Sequence, residues 1–201
     1  MLTHVWGLLA HPNREWKQIK EERETLTHLY EHHVLLLAAI PVVCSYIGTT
    51  QVGWSLGGGT TIQLSYLDAL GAGVVFYLVI LAAVYAVGKV IRYMAKRYTS
   101  PPSQSQCIVF AGYVATPMFL SGIVAVYPLI WLCLLAGVIG LCYTAYLLYL
   151  GIPGFLNISK EEGFIVSSTT LAFGVLILEA LLGMTVLLWG YGERIILSLL
   201  G

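Results

Sequence analysis

Between Arg97 and Lys160 the chain contains no Asp, Glu, Lys or Arg. An uncharged stretch of that length cannot serve as the surface of a water-soluble domain, but it suits a hydrocarbon solvent. One membrane crossing needs about 20 mainly apolar residues, so the stretch has room for two. Tyr127-Pro128 divides it into spans over 106–126 and 129–150, joined by a very tight hairpin. Charged residues bound three further windows, at 34–52, 69–88 and 168–189. The composition agrees: 58% of residues are hydrophobic and 10% charged, against about 25% charged in an ordinary soluble domain. The runs are continuous rather than alternating, which excludes barrel strands and predicts helices. The expected fold is therefore an all-α integral membrane protein. Residues 1–32 form an N-terminal segment and 33–201 a domain of five transmembrane helices.

Lys and Arg counts in short loops set orientation. Arg14, Lys17, Lys20 and Arg23 precede the first span, Lys89, Arg92, Lys96 and Arg97 follow the second, and Lys160 follows the fourth. With the N-terminus inside, all of these share the cytoplasmic side and only Arg194 lies outside. The expected topology is N-in and C-out. No basic leader or small-residue cleavage site marks a signal peptide, so the first span is expected to direct insertion. Cys44, Cys107, Cys133 and Cys142 lie in apolar stretches without metal-ligand spacing, and read as reduced structural thiols. Ten basic residues balance ten acidic ones, and nothing in that pattern attracts nucleic acid.

Three local patterns stand out. Residues 13–31 read as an amphipathic cytoplasmic helix, with Trp16, Ile19, Leu26 and Tyr30 near helical spacing and Pro12 in its first turn. It lies in the membrane interface or packs on the cytoplasmic loops. The uncharged outer loop carries Gly57-Gly58-Gly59 between alternating segments 50–54 and 60–66, a candidate short hairpin. Ser159 with Glu162 fits a capping box that opens the fifth helix.

His11-Pro12 followed by Trp16, Ile19 and Glu22, then Phe110 to Pro117 (Phe-Ala-Gly-Tyr-Val-Ala-Thr-Pro), then Leu150-Gly-Ile and Asn157-Ile-Ser-Lys160, occur in that order around five spans. In these the chain resembles the Ypt-interacting protein (Yip) family, most closely its bacterial inner-membrane branch. The resemblance implies a five-helix fold with a cytoplasmic N-terminus in the bacterial inner membrane, and a periplasmic C-terminus. Eukaryotic relatives look like trafficking factors that engage prenylated Rab GTPases. This chain departs from them in having no long cytoplasmic N-terminal region. For the bacterial branch the resemblance implies a fold and no particular activity.

Four residues form a candidate intramembrane polar site: Glu179, Tyr113, Thr116 and Pro117. A charge at mid-span costs at least about 2.5–3.5 kcal/mol, so Glu179 is expected to face the bundle, protonated or bonded to a neighbouring hydroxyl. Pro117 removes an amide hydrogen and frees the Tyr113 carbonyl, a break that can line a transport path or simply be absorbed by neighbours such as Ser121. Ala136, Gly140 and Thr144, like Ala111 with Ala115, form close-packing faces. His28-Leu-Tyr-Glu-His32 matches an inverted zinc-protease pattern, and Glu24 extends its face by one turn. Glu24, His28 and His32 thus form a possible weak metal or pH-sensing cluster, without a cleft or third ligand for catalysis. All five histidines precede Val34, so no Ser–His pair exists within the membrane, and phosphate-binding fingerprints are absent.

These residues point to a non-enzymatic membrane protein with no cofactor. Its expected partners are the lipid bilayer and a second copy or another membrane protein, in a role in membrane organisation. The alternative is a small-solute or ion transporter or channel using Glu179 and the Pro117 kink.

Overall fold

A computed structural model of the chain describes the backbone of residues 2–22, 30–55, 61–99 and 101–200. Among these, five helical segments are long and apolar enough to cross a membrane: Leu35–Val52, Tyr66–Ala95, Gln104–Val126, Ile130–Leu156 and Lys160–Gly183. The first comprises α3 (Leu35–Ile47) and a π-helical turn, Gly48–Val52, and the second is α4 (Tyr66–Ala95). The third is α5 (Gln104–Val114), α6 (Thr116–Ser121) and a 3-10 turn, Gly122–Val126. The fourth is α7 (Ile130–Leu156), and the fifth opens α8 (Lys160–Leu200).

Capping residues decide where the helices begin. Ser65 accepts from the Asp68 amide to open α4, and Ser103 with Gln106 makes a full capping box for α5. At the start of α8, Ser159 Oγ accepts from the Glu162 amide at 3.2 Å while Glu162 Oε2 accepts from the Ser159 amide at 3.3 Å, as expected from the sequence. The helices outrun the apolar windows. α4 has 30 residues, about 45 Å, and continues through Lys89 and Arg92. A charged side chain ends a hydrocarbon span but leaves the backbone ladder intact, so composition locates the membrane part of a helix and caps locate its ends.

The third span is the hub. Cys107 to Val114 of α5 are all buried, and Ile108, Phe110 and Tyr113 are among the largest fully buried side chains. Glycines of three other spans press their backbones against it. A Cβ on Gly88 of α4 would lie 2.6 Å from Ile108 Cα, and one on Gly140 of α7 would lie 2.9 Å from Ser121 Oγ. One on Gly48 would run into the Ala125 carbonyl. Without a hydrophobic driving force between helices in lipid, such close approach supplies the dispersion energy of association. The fifth span stays at the edge, on α4 and α7. Ser167 Oγ donates to the Leu148 carbonyl at 3.2 Å, and Ser168 Oγ lies 2.9 Å from Tyr149 Oη.

Before the first span, α1 (Leu2–Ala10) and α2 (Pro12–Glu22) pack on α7, and Trp16 of α2 stacks on Phe110 of α5. Tyr143 Oη shares its one proton between the carbonyls of Leu8 at 3.1 Å and Leu9 at 2.9 Å, orphan acceptors at the end of α1. α2 starts at Pro12 as expected, and buries Ile19 while Arg14 and Lys17 stay exposed. Of the predicted amphipathic helix over 13–31, the described residues show α-helix as far as Glu22 and a π turn at Tyr30–Val34, and residues 23–29 lie outside those described. The outer hairpin is smaller than its alternating pattern suggests. Trp54 pairs with Ile62 and Ser55 with Thr61, because Gly48–Val52 extends the helical backbone into what looked like the first strand.

Candidate functional site

The break in the third span is the most polar point of the core. α5 ends at Val114 and α6 restarts at Thr116, with the Ala115 amide bonding back to Ala111 O at 3.0 Å and the Phe119 amide to Ala115 O at 3.1 Å. The first bond closes α5 before the proline and the second spans it, and Ser121 Oγ donates to the Met118 carbonyl at 2.8 Å. Thr116 is fully buried, and its Oγ1 lies 3.0 Å from His33 Nε2. The His33 ring also tilts against Tyr113, with centroids 4.6 Å apart and planes at 54°. The π turn at Tyr30–Val34 carries His33 into this position at 2% exposure. An imidazole and a hydroxyl so paired pin the entry to the first span onto the broken helix.

Of the four predicted polar-site residues, Tyr113, Thr116 and Pro117 come together, and Glu179 does not join them. It is exposed on the outer surface of α8. The reason is angular: Leu181, two residues on and about 200° around the helix, is buried toward α4 and α7. Ser167 and Thr170 are buried with it, so the polar side of α8 that meets the bundle is not the one carrying Glu179. The His-x-x-Glu-His spacing marks His28 and His32 and leaves His33 outside any motif. The signal for His33 was adjacency to Val34, at the mouth of an apolar span, where a side chain must find a partner.

The Glu24 and His28 positions lie outside the described residues, as does the side chain of His32. Among the described residues no group of His, Cys, Asp or Glu is placed to hold a metal ion.

Beside the break lies a cavity of about 200 Å³, walled by Pro41, Phe76, Ala115, Met118 and Leu178 among others. Among the described residues no ionisable side chain lines it. Thr144 Oγ1 is buried without a partner there, while Thr170 Oγ1 donates to the Val166 carbonyl at 2.8 Å. Such walls suit apolar guests and offer no relay for protons.

Tyr30, ahead of the first span, shows how phenols tie the helices: its Oη donates to the Leu81 carbonyl at 3.2 Å. Burial, and secondarily the nearby Tyr85, push its pKa up to about 12 from 10.0. A raised phenol pKa keeps the folded form protonated, so its contribution is complete below pH 10 and is lost as pH rises toward 12. Tyr30→Phe should lower stability at neutral pH by about 0.6–1.7 kcal/mol, the range of interhelical bonds in membranes, and flatten the alkaline decline between those values. Thermal unfolding in detergent across that pH range checks both.

Five apolar helices, the third of them broken and shielded by its neighbours, define a multi-pass helical membrane protein. The chain matches the Yip1 domain over residues 6–181, and it belongs to the Yip family. It is 60% identical to the inner membrane protein YohC of Escherichia coli K12 over 194 residues, covering 96% of this chain and 100% of that protein. The YohC of Escherichia coli O6:H1 matches at the same identity and coverage. No solved structure matches the chain.

Proposed function

We propose that the chain is an inner-membrane protein, N-terminus in the cytoplasm and C-terminus in the periplasm, that organises the membrane through contacts with protein and lipid and catalyses no reaction. The bias of Lys and Arg supports the orientation, and the relatives' printed names support the location. One observation carries the contact reading: Glu179 sits mid-span on the outside of the bundle. Facing lipid, it costs about 3 kcal/mol, which a covering helix removes. Ala172, Leu176, Ala180 and Gly183 are exposed on the same α8, and the small ones let a partner backbone approach closely. A second copy fits well, because two chains of one orientation bring their Glu179 carboxyls to the same depth, where a protonated one donates to the other.

Cross-linking in native membranes, followed by gentle solubilisation, should recover a self-oligomer or a defined complex. Glu179→Gln should retain it, since an amide still makes the bond, and Glu179→Lys should disperse it. Bare monomer from the unaltered protein would overturn the reading. The transport alternative has less support, because Glu179 lies outside the bundle while Pro117 is buried within it. Its test is flux in liposomes that Glu179→Gln abolishes.

A further inference from the structure

At the end of the bundle where α2 meets the start of α5 and the last turns of α7, a second cavity encloses about 400 Å³. Its floor is apolar, formed by Val109, Phe110, Leu150 and Phe155. Phe110 is the middle ring of a stack, 4.6 Å from Trp16 on one side and 4.6 Å from Phe155 on the other. Gly151 makes room for the stack, since a Cβ there would lie 2.8 Å from Phe110 and 2.9 Å from Trp16. The rim is polar: Asn13, Lys17 and Gln106. Two features of the rim stand out. Trp16 Nε1 is buried and has no hydrogen-bond acceptor among the described residues, and an indole N–H in that state wants a ligand oxygen. Among the described residues no carboxylate lines the cavity beside Lys17.

A hydrocarbon floor beneath an N–H donor and a rim ammonium is complementary to one kind of molecule, an amphiphile with an anionic head. We propose that this pocket binds an anionic glycerophospholipid of the adjoining leaflet. Its phosphate pairs with Lys17, an oxygen of its glycerol-ester region accepts from Trp16 Nε1, and an acyl chain lies over Phe110 and Leu150. The inference rests on the lipid-contact part of the proposed function and names a site for it, and it is independent of Glu179, which lies on a different helix.

The test uses the full chain with Trp16 as its sole tryptophan (Trp6, Trp54, Trp131 and Trp189 replaced by Phe), reconstituted in phosphatidylcholine vesicles. A minor fraction of lipid carries brominated acyl chains, as either phosphatidylglycerol or phosphatidylcholine. Quenching of Trp16 should favour the brominated phosphatidylglycerol about fivefold, the preference that one lysine at an anionic surface confers. Lys17→Glu should abolish the preference and Lys17→Arg should keep it. Soluble glycerol phosphate should not relieve the quenching. Equal quenching by both lipids, indifference to Lys17→Glu, or relief by glycerol phosphate would each overturn the proposal. Should the four replacements prevent folding, native mass spectrometry of the unaltered protein reads the same preference from retained lipid. The preference should persist in the Glu179→Lys chain, so loss of oligomers and loss of lipid selection are separate results.

Discussion

Gly88→Val is expected to destabilise the bundle by about 3 kcal/mol, at the upper end for overpacking, because nothing near it can yield. The atom in the way is Ile108 Cα, backbone of the hub helix, at 2.6 Å from where a Cβ would stand. A flexible side chain can rotate aside, but a backbone moves only if the whole of α4 backs away from α5. Cys107, adjacent to the contact and fully buried, makes a natural reporter. In a chain retaining only that cysteine, a thiol-reactive dye stays dark until the bundle opens on heating. Gly137→Val is the control, since a Cβ there meets nothing within 4 Å. Equal unfolding temperatures for the two variants would contradict close packing of α4 on the third span.

His33→Ala should cost a similar amount, about 3 kcal/mol, for two additive reasons. It empties a volume in a close-packed region beside Tyr113, and it leaves the fully buried Thr116 hydroxyl without the imidazole. Thr116→Val separates them. It keeps the volume and removes only the hydroxyl, so about 0.6–1.7 kcal/mol should be lost. In the double variant the two effects should not add, because each already breaks the same bond. Unfolding temperatures of the four proteins form the cycle that measures this coupling, and full additivity would show that His33 and Thr116 do not act on one another.

The spans were legible because the hydrocarbon imposes a condition on every residue within them. Five apolar windows, with Glu179 the one ionisable acidic or basic residue inside them, appear in the sequence, and five helices occupy them. Their ends were less legible, since Lys89 and Arg92 lie beyond the apolar window yet inside α4. The Ser159–Glu162 cap was readable from spacing alone, being a contact between near neighbours. Which helix lies at the centre was not readable. Gly48 and Gly88 look like any glycine in an apolar run, and only the packed arrangement shows that they face the third span. The polar site divides in the same way. Thr116 and Pro117 were marked by the local chemistry of a helix break, but their partner His33 lies 83 residues away in sequence. Glu179 was read as inward because solvation alone was weighed for a single chain. Its outward position moves that same solvation demand from the bundle to whatever covers it.

A carbene-generating lipophilic probe, activated by light in membranes holding the unaltered chain and read by peptide mass spectrometry, asks most directly whether the third helix is enclosed by the others. Label should collect on Leu134, Val138 and Leu176, whose side chains are exposed, while Cys107 through Val114 stay unmarked. Labelling of that buried stretch at the level of α7's outer face would mean that lipid reaches the centre and that the bundle is built some other way.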